Sequence, residues 1–219
     1  VQYVGIIVTL LGLMYLLQQW PSRPQSFMLF LGIAMLVNSV GYLFEITATS
    51  LEGALIAVKI SYVGKVYIAP LAMFFVLNYC GIPVSKAIVG LLTVVHTAVL
   101  VVVMNCEYHE LFYTDIRFER DGFFPHLESG YGVIYFAYIA LIFCYAIVML
   151  GVCLYRYRRT EQEERDKIAY LSVIVLLPVL GLVLYLSGIT RGYDATAVSY
   201  VWSGIILFVS IIRHDFFDT

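Results

Sequence analysis

Two lysines, Lys59 and Lys65, stand inside "GALIAVKISYVGKVYIAPLAMFFVLNYCG", residues 53–81, a stretch otherwise apolar enough to cross a bilayer. Counted at about 1.5 Å per residue from Gly53, Lys59 lies about 9 Å deep and Lys65 about 18 Å, near the midplane of a roughly 30 Å hydrocarbon core. Lys59 is within snorkelling reach of the interface, and Lys65 is not. A lysine at that depth costs on the order of 3 kcal/mol to insert, so both are expected to face a bundle interior and to have partners. Glu45, about 6 Å deep, matches Lys59, and Asn38, two turns further in, matches Lys65. With Tyr62 these residues outline a polar pocket suited to an anionic or zwitterionic small ligand. The alternative is a structural ion pair that sets helix register.

Other chemistry is sparse. No nucleophile stands beside a base and no phosphate-cradling loop occurs, so no enzymatic activity and no cofactor are expected of this chain. Glu107, His109, Glu110, Asp115, His126 and Glu128 share one connection but lack ligand spacing, so a solvated acidic loop is expected there and no metal site. The four cysteines fall at different depths and suggest small apolar side chains, not a disulfide framework. His96, in "LLTVVHTAVL", is placed either to relay protons or to bond a neighbouring helix. Pro178, with Gly181 nearby, opens a gap in a helical hydrogen-bond ladder, either as a hinge or as shape alone. Arg191 and Asp194, in "GITRGYDATAVSY", stand at a helix mouth, where Asp194 can cap the following helix or reach Lys59 or a ligand amine.

The elements that position these residues follow from hydropathy. The chain of 219 residues is 62% hydrophobic and only 13% charged, with a mean hydropathy of +0.90, which excludes an ordinary soluble domain. A net charge of -2 gives no basic patch for nucleic acid. Seven apolar stretches are long enough to cross, at residues 3–19, 27–47, 53–79, 86–104, 132–155, 168–189 and 196–212. The fold class is therefore all-α and integral to the membrane, a single seven-helix domain spanning residues 1–219. The first stretch lacks a basic n-region and a cleavage pattern, so it counts as a helix.

Eight of the thirteen Lys and Arg fall on one side, namely Arg23, Lys86, Arg156, Arg158, Arg159, Arg165, Lys167 and Arg213; Arg117, Arg120 and Arg191 fall on the other. By the positive-inside rule the N-terminus faces out and the C-terminus faces the cytoplasm. The longest outer connection, residues 105–131, alternates in "LFYTDIRFER" and then reads "DG", which suggests a β-hairpin lid with Asp121 and Gly122 at its tip. On the inner side "YRYRRTEQEERDK" reads as a solvated basic connection. The closing "IIRHDFFDT" looks like the point where a cytoplasmic domain attaches beyond residue 219.

Elements of two familiar seven-helix classes are missing. No lysine for retinal lies in residues 196–212, and neither the Asp-Arg-Tyr nor the Asn-Pro-x-x-Tyr element of animal receptors is present. Instead "YLFEITATSLEGALIAVKISYVGKVYIAPLAMFFVLNYCG", "NCEYHELFY" and "GYDATAVSYVWSGIILFVSIIRHDFFDT" resemble the N-terminal seven-transmembrane sensor region of bacterial histidine kinases and related diguanylate cyclases. The resemblance rests on Glu45, Tyr62 with Gly64, Pro70, Asn105 with His109 and Leu111, Pro178, Asp194, and Arg213 with Phe217 and Asp218. The chain departs from that pattern where Ala195, Thr196 and Ala197 follow Asp194 in place of Thr-Pro, and where an Asn after the helix-six proline is missing.

What the resemblance implies is a bacterial inner-membrane receptor for two-component signalling. Its outward pocket would bind a small molecule through Glu45, Tyr62, Asp194 and His109, which belong to the pattern, together with Asn38, Lys59, Lys65 and Arg191, which depth and position place at the same mouth. Pro178 would pivot, and helix seven would pass the signal to a kinase or cyclase in cis, in a homodimeric full-length protein. Two alternatives remain: a transporter or channel with a polar path through Lys65, His96 and Glu45, and a simple membrane anchor with no outward cavity.

Overall fold

A computed structural model describes residues 2–18, 23–121 and 123–214. Among these are seven α-helices: α1 (Gln2–Gln18), α2 (Arg23–Ile46), α3 (Leu51–Tyr79), α4 (Lys86–Met104), α5 (Val133–Arg159), α6 (Gln162–Leu186) and α7 (Ala195–His214). A 3₁₀ turn, Cys106–Tyr108, and two strands, β1 (Tyr113–Glu119) and β2 (His126–Tyr131), lie between α4 and α5.

The helix starts are written locally. Ser50 accepts a hydrogen bond from Gly53 N at 3.1 Å and begins α3, and Ser85 accepts from Ile88 N at 3.3 Å and begins α4. Asp194 caps α7, accepting from Thr196 N at 2.9 Å. At the end of α3 the chain turns through Gly81 at φ +74°, while Ile82 N reaches back to the Leu77 carbonyl at 2.8 Å. Pro83 follows and cannot continue the helix. The ends of α5 and α6 that face each other run several residues past the expected 155 and 168, because the Arg- and Glu-rich connection is itself a good helix former.

Helices α1, α2, α3, α5, α6 and α7 form a closed circuit of neighbours, α7 returning to α1, and α4 packs on the outside of α3. Helices α2 and α3 cross closest. Gly41 lies against the Ser61 backbone and Gly64 against the Ala34 carbonyl, where a Cβ at either glycine would collide. Small residues that let backbones approach are the usual means of packing helices in lipid, where apolar burial supplies no drive. Large apolar side chains such as Leu91, Val94, Ile147 and Ile189 point outward, as a lipid solvent requires. Among the described residues, five helices are long and apolar enough to cross a membrane, with Gln2–Gln18 and Ala195–Leu207 as shorter apolar helices.

The two strands pair antiparallel, Tyr113 opposite Tyr131 and Glu119 opposite His126, with a register shift between Thr114 and Arg117. Asp115 sits in that bulge at φ +47°. Gly122, expected at the hairpin tip, lies outside the described residues, as do Phe217 and Asp218 and the side chain of Arg213. The hairpin rests on helix ends: Arg120 donates to the Thr49 carbonyl, Leu127 N donates to Glu45, and Phe124 exchanges backbone bonds with the Tyr193 hydroxyl. Its root is aromatic, with Tyr131 stacked on Tyr135 at 4.1 Å and Phe112 edge-on to Tyr135 at 5.4 Å.

Candidate functional site

The two lysines diverge. They are six residues apart on one helix, which turns the second by roughly 120° from the first. Lys65 lines an interior cavity and Lys59 does not. Lys59 points towards the 3₁₀ turn and pairs with Glu107 at 2.6 Å. Lys65 points inward, lies largely buried, and forms an ion pair with Asp194, whose side chain is also largely buried. The partners expected from depth, Glu45 for Lys59 and Asn38 for Lys65, are both displaced by residues from loops. Glu45 instead receives the Leu127 amide at 3.3 Å and ties α2 to the hairpin. Asn38, fully buried, accepts from the Ser61 hydroxyl at 2.8 Å inside the α2–α3 crossing. Glu107 is exposed, as expected of a loop acid, and is also paired: the Lys59 hydrogen bond holds its carboxyl below the ordinary value.

Beneath the Lys65–Asp194 pair lies an interior cavity of about 80 Å³ between α2, α3, α5, α6 and α7. From α3 it is lined by Tyr62, Lys65, Ala69, Ala72 and Val76, at alternating spacings of three and four residues that keep one helix face on the cavity. Lys65 also stands over the Tyr62 ring, 5.1 Å from its centroid. Tyr135, Tyr138, Tyr185 and Tyr200 complete an aromatic collar around the lysine end. Tyr138 donates to the Lys65 carbonyl at 3.2 Å, and Tyr62 accepts from Tyr113 at 2.7 Å, which joins the cavity to the hairpin. The far end is closed by apolar side chains, Phe75, Met149, Leu171 and Leu207 among them. Pro178, inside α6, lines the middle.

Of the expected ligand residues, the structure brings Tyr62, Lys65 and Asp194 together. Glu45, Lys59 and Asn38 serve the contacts just given. His109 accepts the Leu111 amide at 3.3 Å and lines a separate cleft at the hairpin root. Arg191 is exposed in the α6–α7 turn at φ +51°. His96 is fully buried against α5, bonded to the Tyr145 hydroxyl at 3.0 Å, and is no part of the cavity lining. Among the described residues no cluster of metal-ligand type occurs, and the four cysteines are free.

The tyrosine collar escaped the sequence reading, although a signal was present. Tyr135 and Tyr138 are one turn apart on α5, and a hydroxyl repeated on one face of a spanning helix marks an interior surface. Tyr185 and Tyr200 gave no such spacing, being on different helices.

The apolar helices define a membrane protein, and the buried ion pair roofs an interior cavity within it. The family model described as the N-terminal 7TM region of histidine kinase matches residues 3–219, and the chain belongs to that family. A search of curated proteins finds no match.

Proposed function

We propose that this chain is the receptor region of a bacterial sensor histidine kinase. All seven helices cross the plasma membrane, with the N-terminus and hairpin outside and the C-terminus in the cytoplasm. The hairpin acts as a lid, a small ligand enters beneath it, and α7 carries the signal to a kinase or cyclase domain in cis, in a dimeric full-length protein. The observation that carries this reading is the Lys65–Asp194 pair. It forms the roof of the cavity and also joins α3 to the first residues of α7, so occupancy and helix position share one contact. A ligand that fits one arrangement of this contact better than another shifts α7 by its difference in affinity for the two. Pro178 gives α6 a pivot beside the same cavity.

The same geometry disfavours both alternatives. A transport path through Lys65, His96 and Glu45 would need the three to line one route. His96 is instead buried against α5, Glu45 faces the hairpin, and the cavity floor is apolar. A passive anchor has no use for an interior cavity roofed by an ion pair.

The test is autophosphorylation of the complete kinase in proteoliposomes. Asp194→Asn, which breaks the roof, and Ala72→Phe, which fills the cavity, are each expected to change basal autophosphorylation at least about fivefold, the low end of typical coupling energies. Wild-type rates in both variants would overturn the reading, and solute flux through the isolated domain would favour the transporter.

A further inference from the structure

We propose that Cys80 and Cys153 form a reversible disulfide, a redox modification site that fastens α3 to α5 at the end of the bundle where the basic residues gather. The site is independent of what occupies the interior cavity.

The fold brings these two thiols together from distant positions in the chain. Cys80 caps the C-terminal end of α3, and Cys153 lies near the C-terminal end of α5. Both side chains are almost fully buried in one apolar cluster. Across the helix contact the Cys80 S–H donates a hydrogen bond to the Cys153 sulfur. Sulfurs in that contact need to close by only about 2 Å to reach the bonded separation of about 2.05 Å. Cys80 is placed to make the move, since it lies past the last residue of α3 and is followed by the exposed turn at Gly81. The other two cysteines stand apart. Cys106 lies near Lys59 and Glu107 at the hairpin root, and Cys144 is exposed on α5.

A third helix joins the pair. Ser172, on α6, bonds the Cys153 sulfur and donates to the Ile168 carbonyl at 2.9 Å. A covalent link between Cys80 and Cys153 therefore fixes α3 against α5 at the point where α6 also docks.

The polarity of the thiol hydrogen bond assigns the roles: Cys153, the acceptor, attacks, and Cys80 resolves. The oxidant is a peroxide, and hydrogen peroxide is small and uncharged enough to reach a buried pair when the exposed turn at residues 81–83 opens. The Cys153 sulfur takes one peroxide oxygen as the O–O bond breaks, giving a sulfenic acid and one water. The Cys80 sulfur then displaces that oxygen as a second water while the S–S bond forms. Two thiols lose two electrons in all, one peroxide gains them, and the two thiol protons leave in the waters. In the orientation proposed above the pair faces the cytoplasm, where thiols reduce disulfides again and such bonds are transient and sensing.

The experiment treats the complete protein in proteoliposomes with hydrogen peroxide, alkylates the remaining thiols and quantifies linked peptides by mass spectrometry. The Cys80–Cys153 peptide is expected to exceed any linkage through Cys106 or Cys144 at least about tenfold, because oxidation is site-selective. Dithiothreitol is expected to return both thiols. The link is expected to raise the unfolding midpoint of the transmembrane region by about 10 °C. Cys153→Ala is expected to lose both the link and the rise, and Cys144→Ala to keep both. Oxidation of the thiols without a link, no reaction at all, a dominant link through Cys144, or a link that leaves the midpoint unchanged would overturn the proposal. Should Cys153→Ala fail to fold, the wild-type peptides and midpoint decide alone.

Discussion

The Lys65 ammonium and the Asp194 carboxylate, 129 residues apart in sequence, form an ion pair between the middle of α3 and the residue that caps the start of α7. Asp194 spends its other oxygen on the Thr196 amide and hydroxyl, so one side chain both starts α7 and holds it to α3. Loss of the pair therefore frees a helix start and a cavity roof together.

Breaking one partner is expected to cost more than removing both. Lys65→Met or Asp194→Asn leaves a buried group uncompensated and is expected to destabilise the domain by about 3–5 kcal/mol. The double substitution is expected to cost less than the sum. A double-mutant cycle of unfolding in detergent micelles measures the difference.

The α2–α3 crossing predicts a steric effect. Gly64→Ala places a Cβ against the Ala34 carbonyl, and Gly41→Ala places one against the Ser61 backbone. Because backbone cannot step aside as a side chain does, each is expected to destabilise by about 1–3 kcal/mol. Gly90→Ala, where a Cβ meets open space, is the control, expected to be neutral or slightly stabilising in the same unfolding assay.

The hairpin contact is expected to respond to acid. Lys59 holds the Glu107 carboxyl below its ordinary value of 4.5. A carboxyl with a depressed folded pKa contributes stability that is present above its unfolded pKa and lost as pH falls through the folded one. Hydrogen exchange at Cys106–Tyr108 is therefore expected to quicken, after correction for intrinsic rates, only below about pH 4.5. Glu107→Gln is expected to show the fast exchange at neutral pH and to lose the pH dependence.

Pro178 separates shape from pivoting. Pro178→Ala restores a backbone donor in α6 and is expected to leave the unfolding midpoint unchanged or raised. If α6 bends in signalling, the same variant lowers the response of autophosphorylation to cavity ligands; an unchanged response assigns the proline to shape.

Depth was legible in the sequence, and direction was not. Hydropathy located each helix and showed that Lys65 must face inward, because a cation near the bilayer midplane has few other options. Its partner was hidden, since Asp194 lies in a turn whose position over α3 depends on how six helices close into a circuit. Glu45 stood at the right depth for Lys59 but on a helix face that the hairpin claims. The hairpin itself was readable from alternation and its turn signal, whereas its grip on Glu45, Thr49 and Tyr193 required tertiary contacts. Asn38 illustrates the same limit: its burial followed from its depth, and its use inside a glycine-lined crossing with Ser61 did not.

The most direct test of the account is the distance between α3 and α7, read by electron–electron spin resonance from labels at Val63 and Trp202, which are exposed on those helices. If the Lys65–Asp194 pair sets the position of α7, Asp194→Asn shifts or broadens the distribution by about 1–2 Å, the scale of helix movements in signalling proteins. An Asp194→Asn distribution that overlays the wild type would contradict the claim that this pair couples the cavity to the seventh helix.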